Sequence, residues 1–565
     1  MKKKVLIIGG VAAGCKAASR IKRLDAEAEV TILEKGGIVS YGGCGLPYFI
    51  SDVIKDEKEL ISTPIGVVRD AGYFKNVKGI TVHINTCAEE IDRQNKVVTA
   101  VDAATGERKK FPYDKLILAV GGEPVIPPIE GVQLRGIYTL RTIEDGIKIK
   151  ARVSEKSVKK AVIVGSGLIG MEMAEAFYLR GIEVTVVEML DWIFPAILDR
   201  DMGLLAGRYV SQKGIHVCTG EKVLRCVGDK DGLIQRVITD KRELQADLVL
   251  LAVGVRPNVE LAKKAGLAIG ETRAIQVNEY LQTSDPDIYA GGDCVENTHR
   301  VTGKKIYAPL GSTANKHGRC IADHIAGRGA VFPGVIGTAI CKVLDYTIAR
   351  TGLSEREAIA SGFTVESVIC PGPDRPHYYP GKANIIIKLI ADKKSGRLLG
   401  SQIIGAGDVA KRIEIAITAI SSQATVRDIA ALDLAYAPPY SSAMDNIITA
   451  ATVMINKLDG IAKGVSPLIV KEKMDRGDDF VLLDVRSPKE YEIMRIDHPS
   501  VMLIPLGKLR EESQKLPKDK EIIAFCQVSL RGYEAQHILE AQGFTRVSFM
   551  DGGIVAWPFK TIGNN

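Results

Sequence analysis

Short apolar runs, each closed by glycine or an acidic residue, punctuate the N-terminal half of the chain at 5–8, 30–33, 116–120, 161–164, 184–187, 248–253 and 288–290. Runs this short and this rich in Val, Ile and Leu predict strands buried on both faces, as in a parallel sheet. Stretches of helical period lie between them, notably 15–24 and the segment that ends at Leu179, so strand and helix alternate. From about residue 325 the texture becomes mixed, with strands expected at 383–390 and 398–404 and a helix at 409–421. The stretch 445–467 reads as partly helical, then loosens at Asp459-Gly460 and Lys463-Gly464 as a linker would. Beyond it, strands at 480–483, 502–504, 522–525 and 547–550 and a helix at 532–542 predict a compact α/β unit.

Two of the strand-to-helix junctions carry phosphate-binding chemistry. In Gly9-Gly10-Val11-Ala12-Ala13-Gly14, Gly9 permits the tight turn, Gly14 permits close helix packing, and the helix start offers free N–H groups to a pyrophosphate. Val11 stands where the G-x-G-x-x-G pattern has its middle glycine, whereas Gly165-Ser166-Gly167-Leu168-Ile169-Gly170 is complete. Glu34 and Glu188 each end the following strand, where a carboxylate accepts hydrogen bonds from a ribose. Two dinucleotides are therefore expected. Glu188 repels a 2′-phosphate, so the second site should prefer NADH, with NADPH the alternative where basic neighbours offset the repulsion. The runs before Gly121-Gly122, Gly254 and Gly291-Gly292-Asp293 read as further strands delivering backbone to a ligand.

Composition narrows the class. The 565 residues exceed one hydrophobic core, and at roughly 150 residues per domain they suggest three or four domains. With 46% hydrophobic and 25% charged residues the chain is a folded protein and not a disordered one. A net charge of +7, spread without a dense basic block, excludes a general nucleic-acid binder. The opening apolar run, 5–8, is too short for a signal peptide, and no stretch suits a membrane span. Ten cysteines over this length lack the density of a disulfide scaffold, which favours a reducing cytoplasm. No metal is expected.

Cys44 lies in Ser40-Tyr41-Gly42-Gly43-Cys44-Gly45-Leu46-Pro47-Tyr48. Further on come Ala308-Pro309-Leu310-Gly311-Ser312-Thr313-Ala314-Asn315-Lys316-His317-Gly318-Arg319 and Tyr436-Ala437-Pro438-Pro439-Tyr440. With the two dinucleotide units in this order, residues 1 to about 450 resemble the flavoprotein disulfide reductases, and among them the coenzyme A-disulfide reductases. Leu483-Asp484-Val485-Arg486-Ser487-Pro488-Lys489-Glu490-Tyr491 and Cys526-Gln527-Val528-Ser529-Leu530-Arg531 resemble a rhodanese domain. The whole is similar to fused coenzyme A-disulfide reductase and rhodanese proteins that act on coenzyme A persulfide or polysulfide.

This resemblance implies an α/β fold: two Rossmann-like dinucleotide-binding domains, an α+β dimerisation domain and a C-terminal α/β rhodanese domain. The expected boundaries are 1–150 with 253–325 for FAD, 151–252 for NAD(P)H, 326–450 for dimerisation, 451–465 for a linker and 466–565 for the rhodanese part. FAD would meet Gly9, Gly14, Glu34, Gly121 and Asp293, and the nicotinamide cofactor Gly165, Gly167, Gly170 and Glu188. A homodimer with active sites shared between subunits is implied, with no nucleic acid or membrane as partner.

Many members of the group use C-x4-C. Here the second cysteine would fall at Val39 or Phe49, so Cys44 works alone, oxidised as a mixed disulfide with a small thiol or as a sulfenic acid. Pro47 suits the first turn of a helix whose dipole would lower the thiol pKa. Relatives that reduce oxygen or peroxide carry a histidine where this chain has Ala12, which favours the disulfide route. By resemblance, Tyr378 or Tyr379, and Tyr436, reach the reactive cysteine from the other subunit, and Arg20, Lys22 and Arg23 contact coenzyme A phosphates. Ser40, Asn315 and Lys304 complete the expected coenzyme A set. Cys526 to Arg531 forms a C-x4-R loop whose N–H groups would cradle a persulfide, shorter than the C-x5-R of phosphatases. The remaining cysteines read as small buried hydrophobes. The expected reaction is NADH-driven reduction of coenzyme A persulfide or polysulfide to thiol and hydrogen sulfide, with Cys526 relaying sulfane sulfur. The alternatives are coenzyme A-disulfide reduction for thiol balance and NADH oxidase or peroxidase activity.

Overall fold

The computed structural model describes residues 2–563, which fall into two compact units, 2–189 with 221–335 and 190–220 with 336–563. In the first unit, Lys4–Ile8 runs parallel to Glu29–Leu33 on one side and Lys115–Leu118 on the other, with Ile80–His83 and Ile288–Ala290 at the edges. Leu6, Ile7, Ile32 and Ile117 have almost no solvent contact, as continuous apolar runs demand in a covered parallel sheet. A second parallel set joins Glu183–Val187, Lys160–Val164, Leu248–Leu251 and Ile137–Tyr138 in that order. Both glycine loops thus leave the carboxyl end of a central strand, where open α/β sheets bind ligands. The helices Ala12–Leu24 and Gly311–Ile325 pack closely, because a Cβ at Gly318 would stand 2.3 Å from the Ala13 carbonyl oxygen.

The second unit is built on the antiparallel sheet Ala339–Val343, Tyr346–Gly352, Leu398–Gly405, Asn384–Asp392 and Val365–Pro373. Lys388 projects from it fully buried and meets Asp201 at 2.8 Å, Glu355 at 2.9 Å and Asp199 at 3.2 Å, fastening the helix Arg200–Gln212 to the sheet. Residues 451–465, expected as a linker, are helical through Leu458 in Asn446–Leu458. Ile447, Ile448, Ala451 and Met454 recur at helical spacing and are buried, and Asp445 caps the start, so packing holds the segment in place. Gly464–Val465 then joins a parallel sheet with Val547–Met550, Glu521–Phe525, Phe480–Asp484 and Val501–Leu503. No helix among the described residues is long and apolar enough to cross a membrane.

Candidate functional site

The two glycine loops are built alike. Gly9 and Gly165 take φ of +106° and +101°, and a Cβ on either would strike the carbonyl of a neighbouring strand, at Ala119 or Ala252. A Cβ on Gly14 would stand 1.9 Å from the Gly9 oxygen, and one on Gly170 2.1 Å from the Gly165 oxygen, so each helix rests directly on its own turn. Both helices, Ala12–Leu24 and Leu168–Leu179, begin without a side-chain cap, leaving N–H groups open to an anion. Open space surrounds Gly167. Glu34 accepts from the Gly10 N–H at 2.6 Å and the Gly36 N–H at 2.7 Å, and Glu188 accepts from the Ser166 N–H at 3.0 Å and its hydroxyl at 2.7 Å. These features fit two dinucleotides, a flavin dinucleotide at the first loop and a nicotinamide dinucleotide at the second.

Gly121, at φ +67°, faces the Arg141 guanidinium, which donates to Asp293 at 2.7 Å and to the Gly122 carbonyl at 3.1 Å. The Tyr307 hydroxyl donates to the Asp293 carbonyl at 2.9 Å, and His317 accepts from the Gly292 N–H at 3.0 Å. Burial lowers His317 to about 4, so at neutral pH its unprotonated ring accepts that bond.

Cys44 is exposed on the isolated chain. A Cβ on Gly311 would stand 3.5 Å from its sulfur, so the thiol rests against the first residue of the 15-residue helix Gly311–Ile325, which also has no side-chain cap. The helix containing Pro47, Leu46–Ile50, has only five residues and a weak dipole. The expected depressed thiol pKa is not found. Protein packed behind the sulfur pushes it up, joined by the carboxylates of Glu172 and Asp293, and Arg141 only partly opposes them. Burial, aided by Glu175, raises Glu172 itself to about 7. Sequence reasoning missed Glu172 and Arg141, and singled out Gly311 only as part of the 308–319 motif, without its contact to Cys44. An acid inside the apolar helix Leu168–Leu179 was the available signal for Glu172; nothing local marks Arg141.

The expected coenzyme A contacts scatter. Arg20 is committed to Asp323 at 2.7 Å, and Lys22 donates to the carbonyls of Ala26 and Ala28 at its own helix end. Both are occupied within the chain, because each basic side chain finds a nearer acceptor than solvent. Arg23 is exposed and, among the described residues, donates only to the Ser19 carbonyl at 3.0 Å. Ser40, at φ +56°, donates its N–H to the Gly10 carbonyl at 2.8 Å, and its side chain hydrogen-bonds Cys15. Asn315 donates to the Gly311 carbonyl at 2.9 Å, one helical turn from the Cys44 contact. Lys304 is an exposed residue of the turn before Lys305–Ile306. Tyr378, Tyr379 and Tyr436 belong to the second unit, and a hydrogen bond to Tyr436 raises the exposed Tyr378.

Cys526 directly follows the strand Glu521–Phe525 and is buried. Arg531 interacts electrostatically with its sulfur and forks onto Glu490 at 2.9 and 2.6 Å. That guanidinium, with the Ser487 N–H and hydroxyl, holds Glu490 down to about 2. Between them Ser529 takes φ +101°, and its hydroxyl accepts from the Gly552 N–H at 2.6 Å. The floor of the loop is Asp551-Gly552-Gly553. The Ile554 N–H reaches the Cys526 carbonyl at 2.9 Å, and Lys457 holds the buried Asp551 at 2.9 Å while also donating to the Ser367 carbonyl at 2.8 Å. Among the described residues no cluster could hold a metal ion.

Residues 3–311 match the pyridine nucleotide-disulphide oxidoreductase family, 338–448 its dimerisation domain and 466–559 the rhodanese-like domain. A NAD(P)H coenzyme A polysulfide/persulfide reductase of Pyrococcus horikoshii is 37% identical over 80% of this chain and 99% of its own. A NAD-dependent persulfide reductase from A. fulgidus is 46% identical, covers 98% of this chain and 100% of its own, and superposes with a TM-score of 0.92. Reduced Bacillus anthracis CoADR-RHD, 35% identical, covers 99% and 98% with a TM-score of 0.91. The α/β fold with two Rossmann-type parts, a dimerisation domain and a rhodanese domain is thereby shared along almost the whole length of two solved proteins. The chain is a member of the pyridine nucleotide-disulphide oxidoreductase family.

Proposed function

We propose that this protein uses NADH, with FAD bound, to reduce coenzyme A persulfide or polysulfide to the thiol and hydrogen sulfide through one thiol, Cys44. The observation that carries the reading is the exposed Cys44 sulfur, set against the start of Gly311–Ile325 beside Asp293, Arg141 and Glu172, with no cysteine at C-x4-C spacing. Residues 1–150 with 253–325 hold FAD through Gly9, Gly14, Glu34, Gly121 and Asp293, and 151–252 hold NADH through Gly165, Gly167, Gly170 and Glu188. The flavin, when bound, supplies hydride acceptance from the nicotinamide and electron transfer to sulfur. Arg141 fixes Asp293, and the uncapped N–H groups at the starts of Ala12–Leu24 and Leu168–Leu179 bind pyrophosphate.

The Cys44 thiolate attacks the carrier sulfur of a coenzyme A persulfide. A Cys44–S–S–coenzyme A bond forms and hydrosulfide leaves; an electron pair then returns Cys44 and coenzyme A as thiolates. The helix dipole at Gly311 favours the thiolate in both steps. Residues 326–450 pair two copies as a homodimer, in which Tyr378, Tyr379 and Tyr436 serve the opposite copy's Cys44 as proton donors. Arg23, exposed and without an acidic partner, meets the coenzyme phosphates along with Asn315 and Lys304, whereas Arg20 and Lys22 position that helix. Cys526, stabilised by Arg531, carries sulfane sulfur to the reductase. Stopped-flow turnover with coenzyme A persulfide tests the reading. Cys44→Ser should lose at least about a thousandfold in sulfide release, and an unchanged rate would end it.

A further inference from the structure

The Cys526 loop presents an unusual surface for a site that handles anionic sulfur. Between Cys526 and Arg531 stand Gln527, Val528, Ser529 and Leu530, none of them cationic. The single cation of the loop, Arg531, is engaged fork to fork by Glu490 at 2.9 and 2.6 Å. Glu490 is in turn locked by Ser487 through an N–H at 2.9 Å and a hydroxyl at 2.9 Å, so the carboxylate cannot swing away without losing four hydrogen bonds. The Arg531 charge is thus matched before any donor arrives. Val528 is 38% exposed and Leu530 63% exposed, both within the loop from Cys526 to Arg531. Ser529 fixes the pair by its left-handed backbone and its bond to Gly552, so the apolar rim is a built feature of the loop.

We infer that the rhodanese site selects an organic persulfide carried on an uncharged, partly apolar arm and discriminates against the thiosulfate dianion. A dianion would need an unneutralised cation to repay its desolvation, and here the guanidinium is already paired. An uncharged arm instead lies over Val528 and Leu530 while its outer sulfur reaches Cys526. In the transfer, the Cys526 thiolate attacks the outer sulfur of R–S–SH. A bond forms between the Cys526 sulfur and the outer sulfur, the S–S bond of the donor breaks, the carrier leaves as R–S⁻, and the proton stays on the transferred sulfur. This deepens the proposed function and rests on Cys526 acting as the sulfur relay.

The test is persulfide formation on Cys526 in the full-length holoenzyme, read by mass spectrometry against time, with N-acetylcysteamine persulfide and with thiosulfate at equal sulfur. Wild type should react at least tenfold faster with the organic persulfide. Glu490→Gln, which frees the guanidinium charge, and Val528→Lys, which adds a cation at an exposed position, should each narrow that ratio at least fivefold. Val528→Lys keeps the test decisive if Glu490→Gln disturbs the loop. A wild-type preference below tenfold, or an unmoved ratio in Val528→Lys, overturns the inference. NADH-driven sulfide release from coenzyme A persulfide, followed in the same samples, separates the two readings. Its retention alongside a lost preference removes only the donor selectivity, whereas its absence with the preference intact removes the reductase reading.

Discussion

Replacing Lys457 by Met removes the cation beneath the rhodanese loop. Its ammonium sits 2.9 Å from Asp551 and 3.2 Å from Glu366, with side chains 13%, 5% and 17% exposed. Breaking a buried pair from one side costs 3–5 kcal/mol in general, and the partial exposure of Lys457 points to the lower end, about 3 kcal/mol. At 1.4 kcal/mol per decade that is roughly a hundredfold in the population of the opened loop. Hydrogen exchange of residues 547–556 in the full chain should accelerate by about that factor, and persulfide formation on Cys526 should slow. Burial already raises Asp551 above its ordinary 3.8, and without Lys457 it rises further. An acid with a raised folded pKa destabilises the fold once ionised, so the variant should hold at low pH and lose stability as pH climbs through the folded value. Lys457→Met/Asp551→Asn, which removes the stranded charge, should recover much of the loss. Exchange within twofold of wild type, or a double variant no better than the single one, would refute the reasoning.

Glu172→Gln removes a carboxylate that opposes the Cys44 thiolate, so the thiol pKa should fall. Alkylation of Cys44 at neutral pH should quicken up to about tenfold, and the inflection near pH 7 due to Glu172 should vanish from its pH profile. Glu188→Ala removes the acceptor at the second glycine loop, and the kcat/KM preference for NADH over NADPH should drop at least about tenfold. Gly552→Ala places a Cβ 2.3 Å from that of Ala556 at φ +72°, so thermal unfolding of the C-terminal sheet should come several degrees earlier.

The parts legible in the sequence were those that repeat locally. Gly9, Gly14 and Glu34, like Gly165, Gly170 and Glu188, are fixed by a strand, a turn and a helix adjacent in the chain, so spacing alone locates them. The surroundings of Cys44 were not legible in that way. Asp293 meets Arg141, and Cys44 meets Gly311, through segments far apart in sequence, Arg141 and Asp293 following strands of two different sheets. The thiol pKa was misjudged for the same reason. Pro47 signals a helix start nearby, while the opposing carboxylates of Glu172 and Asp293 arrive from distant segments. Arg20 and Lys22 show the converse, since a basic stripe on a helix says nothing of Asp323 or the carbonyls that occupy it. Apolar spacing in 445–467 did signal a helix; the glycines beyond Leu458 suggested slack that the pairing of Gly464–Val465 with Val547–Met550 removes.

The central claim is that a lone protein thiol stores the oxidised state. Peptide mass spectrometry of the purified, oxidised protein, alkylated without prior reduction, tests it most directly. The account predicts Cys44 as a mixed disulfide with coenzyme A that NADH releases stoichiometrically. Finding Cys44 bonded to another cysteine of the chain, or free while NADH-driven sulfide production runs at full rate, would contradict it.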